Sequence, residues 1–121
     1  MRKLLLLALT GVILTAPVLA ADSNGQSRMY GIGAHSCGQF MSMSESKPKY
    51  FVYREWTAGF ITAYDMFSPK TDNIIARPKF NGAMAWIKRY CAAHPRAPYS
   101  RAVATLMVRL RRQQAATGSD E

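Results

Sequence analysis

The chain has 121 residues, 49% of them apolar, and carries sixteen Lys and Arg against seven Asp and Glu, a formal net charge of +9. That length holds one small domain with a single core and too little chain for a deep cleft between domains, which disfavours an enzyme from the outset. The basic balance points toward acidic proteins or anionic polymers as partners.

Met1-Arg2-Lys3 is a short positive start, Leu4 to Leu14 an uncharged apolar run, and Val18-Leu19-Ala20 a small-residue exit. Seven of the nine leucines precede residue 20, whereas all thirteen aromatics follow it. Residues 1–20 are therefore expected to be a secretory signal peptide, cleaved after Ala20. The eleven-residue run falls short of the roughly 20 that span a bilayer, so no membrane anchor is expected. No Cys stands at the cleavage point to take a lipid. The mature protein is expected to be soluble and exported, with its charge lowered to +7 by the loss of Arg2 and Lys3.

Residues 21–34 are rich in Ser, Gly, Asn and Gln and predict a flexible lead-in, too poor in apolar surface to offset the entropy of ordering. Residues 35–113 then form the helical domain. Ser36 and Gln39 have the spacing of a capping box, which opens a short helix from Cys37 to about Ser44. Pro48 suits the first turn of a second helix reaching Phe67. Val52, Trp56, Phe60, Ala63 and Phe67 recur along it at steps of three and four, and Tyr50, Tyr53, Ile61 and Tyr64 cover much of the rest. The second helix is thus expected at the centre of the bundle, with Ala58, Gly59 and Ala63 small enough to admit another backbone.

Ser68 to Phe80 predicts a loop from which Ile74 and Ile75 can dock on the core. Asn81 is the expected N-cap of a third helix ending at His94, with Met84, Trp86, Ile87, Tyr90 and Cys91 on one arc. Pro95 stops it and Pro98 opens a fourth, whose buried face is Tyr99, Val103, Leu106, Met107 and Leu110. Residues 114–121 predict a disordered polar tail. The expected fold is all-α, a compact bundle of about four helices. Its core is expected from Phe40, Val52, Trp56, Gly59, Phe60, Ala63, Trp86, Ile87, Val103, Leu106 and Leu110.

Cys37 and Cys91 are an even pair in a chain read as exported, without a Cys-x-x-Cys motif, and so predict a structural disulfide. The competing reading is zinc, since His35-x-Cys37 and Cys91-x-x-His94 together supply four ligands of the right type. His35, Ser36 and Cys37 are adjacent in sequence, an arrangement that rarely gives the geometry of a base, nucleophile and orienter. Glu55 and Asp65 fall on different sides of the second helix, so they do not face each other as acid and base. No phosphate-cradling glycine loop is recognisable. No catalytic residue, metal or cofactor is expected. Lys88, Arg89, Arg101, Arg109, Arg111 and Arg112 form the candidate partner-binding surface, the alternative being a solvated face. Specific nucleic-acid binding is not expected of an exported protein.

Three segments together carry a family resemblance: His35-Ser36-Cys37-Gly38-Gln39-Phe40, Trp56-Thr57-Ala58-Gly59-Phe60-Ile61, and Trp86-Ile87-Lys88-Arg89-Tyr90-Cys91 running into His94-Pro95. They resemble small periplasmic helical proteins of HdeA/HdeB type, whose single disulfide joins an early helix to a later one, as Cys37 and Cys91 would. The Trp-x-x-Gly-Phe turn, the His-Pro break and the closing Ala-Val-x-x-Leu helix also resemble Tai-type immunity proteins, which block type VI secretion amidases. The first resemblance implies an acid-activated chaperone, a folded homodimer near neutrality that opens in acid to bind unfolded clients. Protonating all seven acids and both histidines would raise the mature charge from +7 to +16, and self-repulsion of that kind acts to loosen a fold. The second implies a protein that plugs the cleft of a toxin. Both act by binding proteins in the periplasm, without catalysis.

Overall fold

The computed structural model describes residues 28–69, 71 and 73–118. The expected signal peptide, residues 21–27 of the lead-in and residues 119–121 of the tail lie outside the described residues. A 3-10 turn at Gly31–Ala34 precedes α1 (Cys37–Met41), α2 (Pro48–Phe67), α3 (Lys79–Ala93) and α4 (Tyr99–Thr117). This is the all-α bundle that the apolar periodicity predicts.

The central element is α4, which packs against the 3-10 turn, α1, α2 and α3. It buries Tyr99, Val103, Leu106, Met107 and Leu110, the expected face, together with Ser100 and Ala102. The second helix was expected in that place. Instead α2 packs chiefly on the 3-10 turn and α4, and its arc at Val52, Ala63 and Phe67 is exposed among the described residues.

A helix as short as α1 has no independent stability. Its start is held from several directions. Ser36 Oγ accepts from the Gln39 amide at 3.1 Å, and Gln39 Oε1 accepts from the Ser36 amide at 2.9 Å, completing the capping box. The next donors leave the helix: Cys37 N–H donates to the Ala97 carbonyl and Gly38 N–H to the Pro95 carbonyl, both at 2.8 Å. In return Tyr99 N–H donates to the His35 carbonyl at 2.7 Å. The α3–α4 connection is thus stitched to the start of α1, and the Cys37–Cys91 disulfide closes the same corner with a Cα separation of 4.7 Å. The fit at Gly38 is close, since a Cβ there would come 3.2 Å from the Pro95 carbonyl oxygen.

The lead-in ends earlier than its composition suggests. Gly31–Ala34 is ordered, with Ile32 and Gly33 buried, because the indole of Trp56 lies over both glycines and donates Nε1–H to the Tyr30 carbonyl at 3.1 Å. A Cβ on Gly33 would land on the Trp56 ring at Cζ2.

The largest correction concerns α2. Its bounds agree with the expectation, but the buried face is Tyr50, Tyr53, Thr57 and Ile61. Trp56 and Phe60 are half-buried at the seam, whereas Val52, Gly59 and Ala63 are exposed and leave the expected core. Gly59 admits no close neighbour, since a Cβ there would meet nothing within 4 Å. The hydroxyl-bearing arc can be the inner one because its polar atoms are satisfied. Thr57 Oγ1 donates to the Tyr53 carbonyl at 2.8 Å and lies 2.7 Å from the Tyr99 hydroxyl.

The loop docks through Ile74, fully buried, whose N–H donates to Asp65 Oδ1 at 2.9 Å. Helix α3 begins at Lys79, before the expected cap. Asn81 lies within its first turn, where its side chain accepts from Arg54 Nη2 at 3.2 Å instead of capping. Ala83, Met84, Ile87 and Cys91 are buried, while Trp86 of the expected core is half-buried together with Tyr90. The predicted disordered tail also begins too early, because α4 continues to Thr117. Gln114 Nε2 donates to the Asn73 carbonyl at 3.4 Å, and Ala115 and Ala116 favour helix.

Candidate functional site

The residues that suggested chemistry occupy structural positions. Both thiols of the hypothetical zinc set are consumed by the Cys37–Cys91 bond. Among the described residues no three His, Cys, Asp or Glu are grouped to hold a metal ion. His35 Nδ1 lies 3.4 Å from the Tyr53 hydroxyl. His94 caps the C-terminus of α3, with Nδ1 2.9 Å from the Tyr90 carbonyl and its ring stacked on Tyr90 at 4.2 Å. The buried tyrosines are displaced in the same direction: burial pushes Tyr99 up to about 12, against the hydrogen bond with Thr57, and raises Tyr53.

Two surfaces have the character of binding sites. The first is the uncovered arc of α2. Val52, Met66 and Phe67 are 51%, 72% and 82% exposed, and Gly59 and Ala63 lie between them. The half-buried rings of Trp56 and Phe60, 5.4 Å apart, form one margin. From Val52 to Phe67 the strip extends on the order of 20 Å along the helix. Exposed apolar surface of this continuity marks a contact surface more often than a solvated one.

The second surface is the groove between α3 and α4. A cavity of about 310 Å³ is lined by Arg77, Gly82, Trp86, Arg89, Leu106, Arg109, Leu110 and Gln113. Leu106 and Leu110 are the apolar floor, Trp86 is one wall, and three guanidiniums form the rim. Arg109 lies over the Trp86 ring at 5.9 Å from its centroid. Trp86, Tyr90 and His94 continue as a stack along α3, with successive centroids 5.5 and 4.2 Å apart.

The six cations expected to act together are divided by this geometry. Arg89 and Arg109 converge on the groove, and Arg101 lies beyond the far end of the stack with His94 and Arg96. Lys88 faces away and pairs with Glu45 at 2.9 Å, which raises its pKa. Arg112 is about 60° from Arg109 around α4, whereas Arg111 is about 200° away and points elsewhere. Arg77 completes the cluster from the loop, where helical periodicity gave no reason to look.

Among the described residues no helix is long and apolar enough to cross a membrane. No family model matches the chain, and neither a curated protein nor a solved structure matches it. The surfaces must therefore be read on their own chemistry.

Proposed function

We propose that the protein is a small, non-catalytic protein exported to the periplasm, which binds unfolded clients in the manner of an HdeA-like acid-stress chaperone. The observation that carries this reading is the uncovered apolar arc of α2, because Val52, Met66 and Phe67 are exposed on the same helix whose opposite face builds the core. A holding chaperone needs apolar surface that is available to clients without dismantling its own fold. Acid would add to it: as carboxylates protonate, a basic chain gains positive charge and its bundle loosens. The Cys37–Cys91 bond keeps the loosened chain together.

A dedicated partner is the second reading, as for a Tai-type immunity protein, and the arginine-rimmed groove between α3 and α4 favours it. Light scattering of an acid-sensitive client tests the first reading. Suppression of aggregation in acid supports holding; its absence both in acid and at neutrality directs the search to a single partner by pull-down.

A further inference from the structure

We infer that the groove between α3 and α4, with the hollow that adjoins it beside Ala76, docks an acidic peptide segment of a partner protein, its apolar side chains seated beside Trp86 and Ala76 and its carboxylates taken by Arg77, Arg89 and Arg109. The inference rests on the reading of this chain as a binder of proteins, and not on what α2 does.

The groove has two apolar compartments. The first lies against Trp86 over Leu106 and Leu110. The second, of about 340 Å³, adjoins it between the loop of residues 74–77 and α4, where Ala76 stands over the buried Ile74 and Leu110, and it ends at Gln114 and Thr117. Arg77 and Gln113 line both and so stand at the divide. Each compartment is of a size for apolar side chains rather than for a large cofactor. A ligand crossing the divide passes a guanidinium between its two anchors.

Charge complementarity identifies the rest of the ligand. Among the described residues no carboxylate lines either compartment, and the only ion pair is Lys88–Glu45, away from the groove. Arg77, Arg89 and Arg109 therefore face the groove without an ionic partner among the described residues. The planar fork of a guanidinium matches a carboxylate with two parallel hydrogen bonds. Arg109, held over Trp86, keeps its charge beside the first apolar compartment. A polyanion without apolar groups, such as a sulfated sugar chain, would satisfy the rim and leave both floors empty. An acidic peptide with aliphatic residues satisfies both.

The test is fluorescence anisotropy of the oxidised protein with a labelled synthetic peptide of Asp and Glu interrupted by two leucines. Replacing its acids by Asn and Gln is expected to weaken binding by at least about tenfold, and replacing its leucines by Ser by about fivefold or more. Arg89→Gln with Arg109→Gln should weaken the acidic peptide by at least about tenfold, while Arg111→Gln, on another side of α4, leaves it unchanged. Circular dichroism checks that these surface variants keep their helices. The inference is overturned by no binding of the acidic peptide, by equal binding to the paired arginine variant, or by indifference to the leucines. It is overturned equally if a heparin oligosaccharide or single-stranded oligonucleotide binds more tightly than the peptide at the same salt. Client holding by the unaltered protein, measured in parallel, separates the outcomes: holding with no peptide binding rejects the groove alone, and absence of both rejects protein binding altogether.

Discussion

The Tyr99 hydroxyl and Thr57 Oγ1 lie 2.7 Å apart, joining the start of α4 to the middle of α2 across 42 residues, with both side chains fully buried. Thr57 spends its own proton on the Tyr53 carbonyl, so Tyr99 is the donor to Thr57. Removing the two partners therefore has unequal consequences. Thr57→Val strands the Tyr99 hydroxyl, with only the Met84 sulfur at 4.0 Å, and should cost about 1–3 kcal/mol. Tyr99→Phe leaves Thr57 its carbonyl partner and should cost about 1 kcal/mol. Urea denaturation of the two variants measures the difference, and a larger loss for Tyr99→Phe would reject this direction of donation.

Alkaline pH should weaken the fold through the same tyrosine. Burial pushes Tyr99 up to about 12, whereas an unfolded tyrosine titrates near ~10. The unfolded chain thus releases its proton first. Stability from this group is complete below about pH 10 and declines as the pH rises to about 12, by about 3 kcal/mol in all. Tyr53, raised in the same direction, adds to the decline. Denaturant midpoints across that window should fall more steeply for the unaltered protein than for Tyr99→Phe.

Gly33 and Trp56 should behave as one unit. Gly33→Ala drives a Cβ into the Trp56 ring and should cost about 1–3 kcal/mol. Trp56→Ala, removing a half-buried indole and its bond to Tyr30, should cost about 3 kcal/mol. In the Trp56→Ala background the Gly33→Ala penalty should largely vanish, because the obstructing ring is gone. Full additivity in thermal melts would contradict this packing.

The disulfide is expected to contribute about 4 kcal/mol by closing a loop between cysteines 54 residues apart. Cys37→Ser with Cys91→Ser should lower the urea midpoint accordingly. Intact-mass measurement of the unaltered protein should show the loss of two hydrogens, and free thiols would refute the bond.

Much of the architecture was legible because its signals are local. Ser36 and Gln39 mark α1 within one turn, Pro48 opens α2, and the Pro95 and Pro98 breaks separate α3 from α4. The even number of cysteines and the expectation of export pointed to the cysteine pair. The faces of α2 were harder, because two apolar arcs adjoin and periodicity weighs a tyrosine below a valine. Only the distant Tyr99 and the Tyr53 carbonyl show how Thr57 can be buried while Val52 remains exposed. The ordered Gly31–Ala34 turn was hidden for the same reason, since its packing partner, Trp56, is distant in sequence. The groove was legible only in part: Arg89 and Arg109 stood out as helix-surface cations, whereas Arg77 joins them through the docking of Ile74.

The most direct test of the account is light scattering of an acid-sensitive client at about pH 2 to 3 and again near neutrality, with the oxidised protein and with a Met66→Ser, Phe67→Ser variant. Both substituted residues are so exposed that the fold should lose little. The account predicts suppression of aggregation by the unaltered protein in acid and loss of most of that suppression in the variant. No suppression at either pH, or equal suppression by the variant, would contradict the assignment of client binding to the uncovered face of α2.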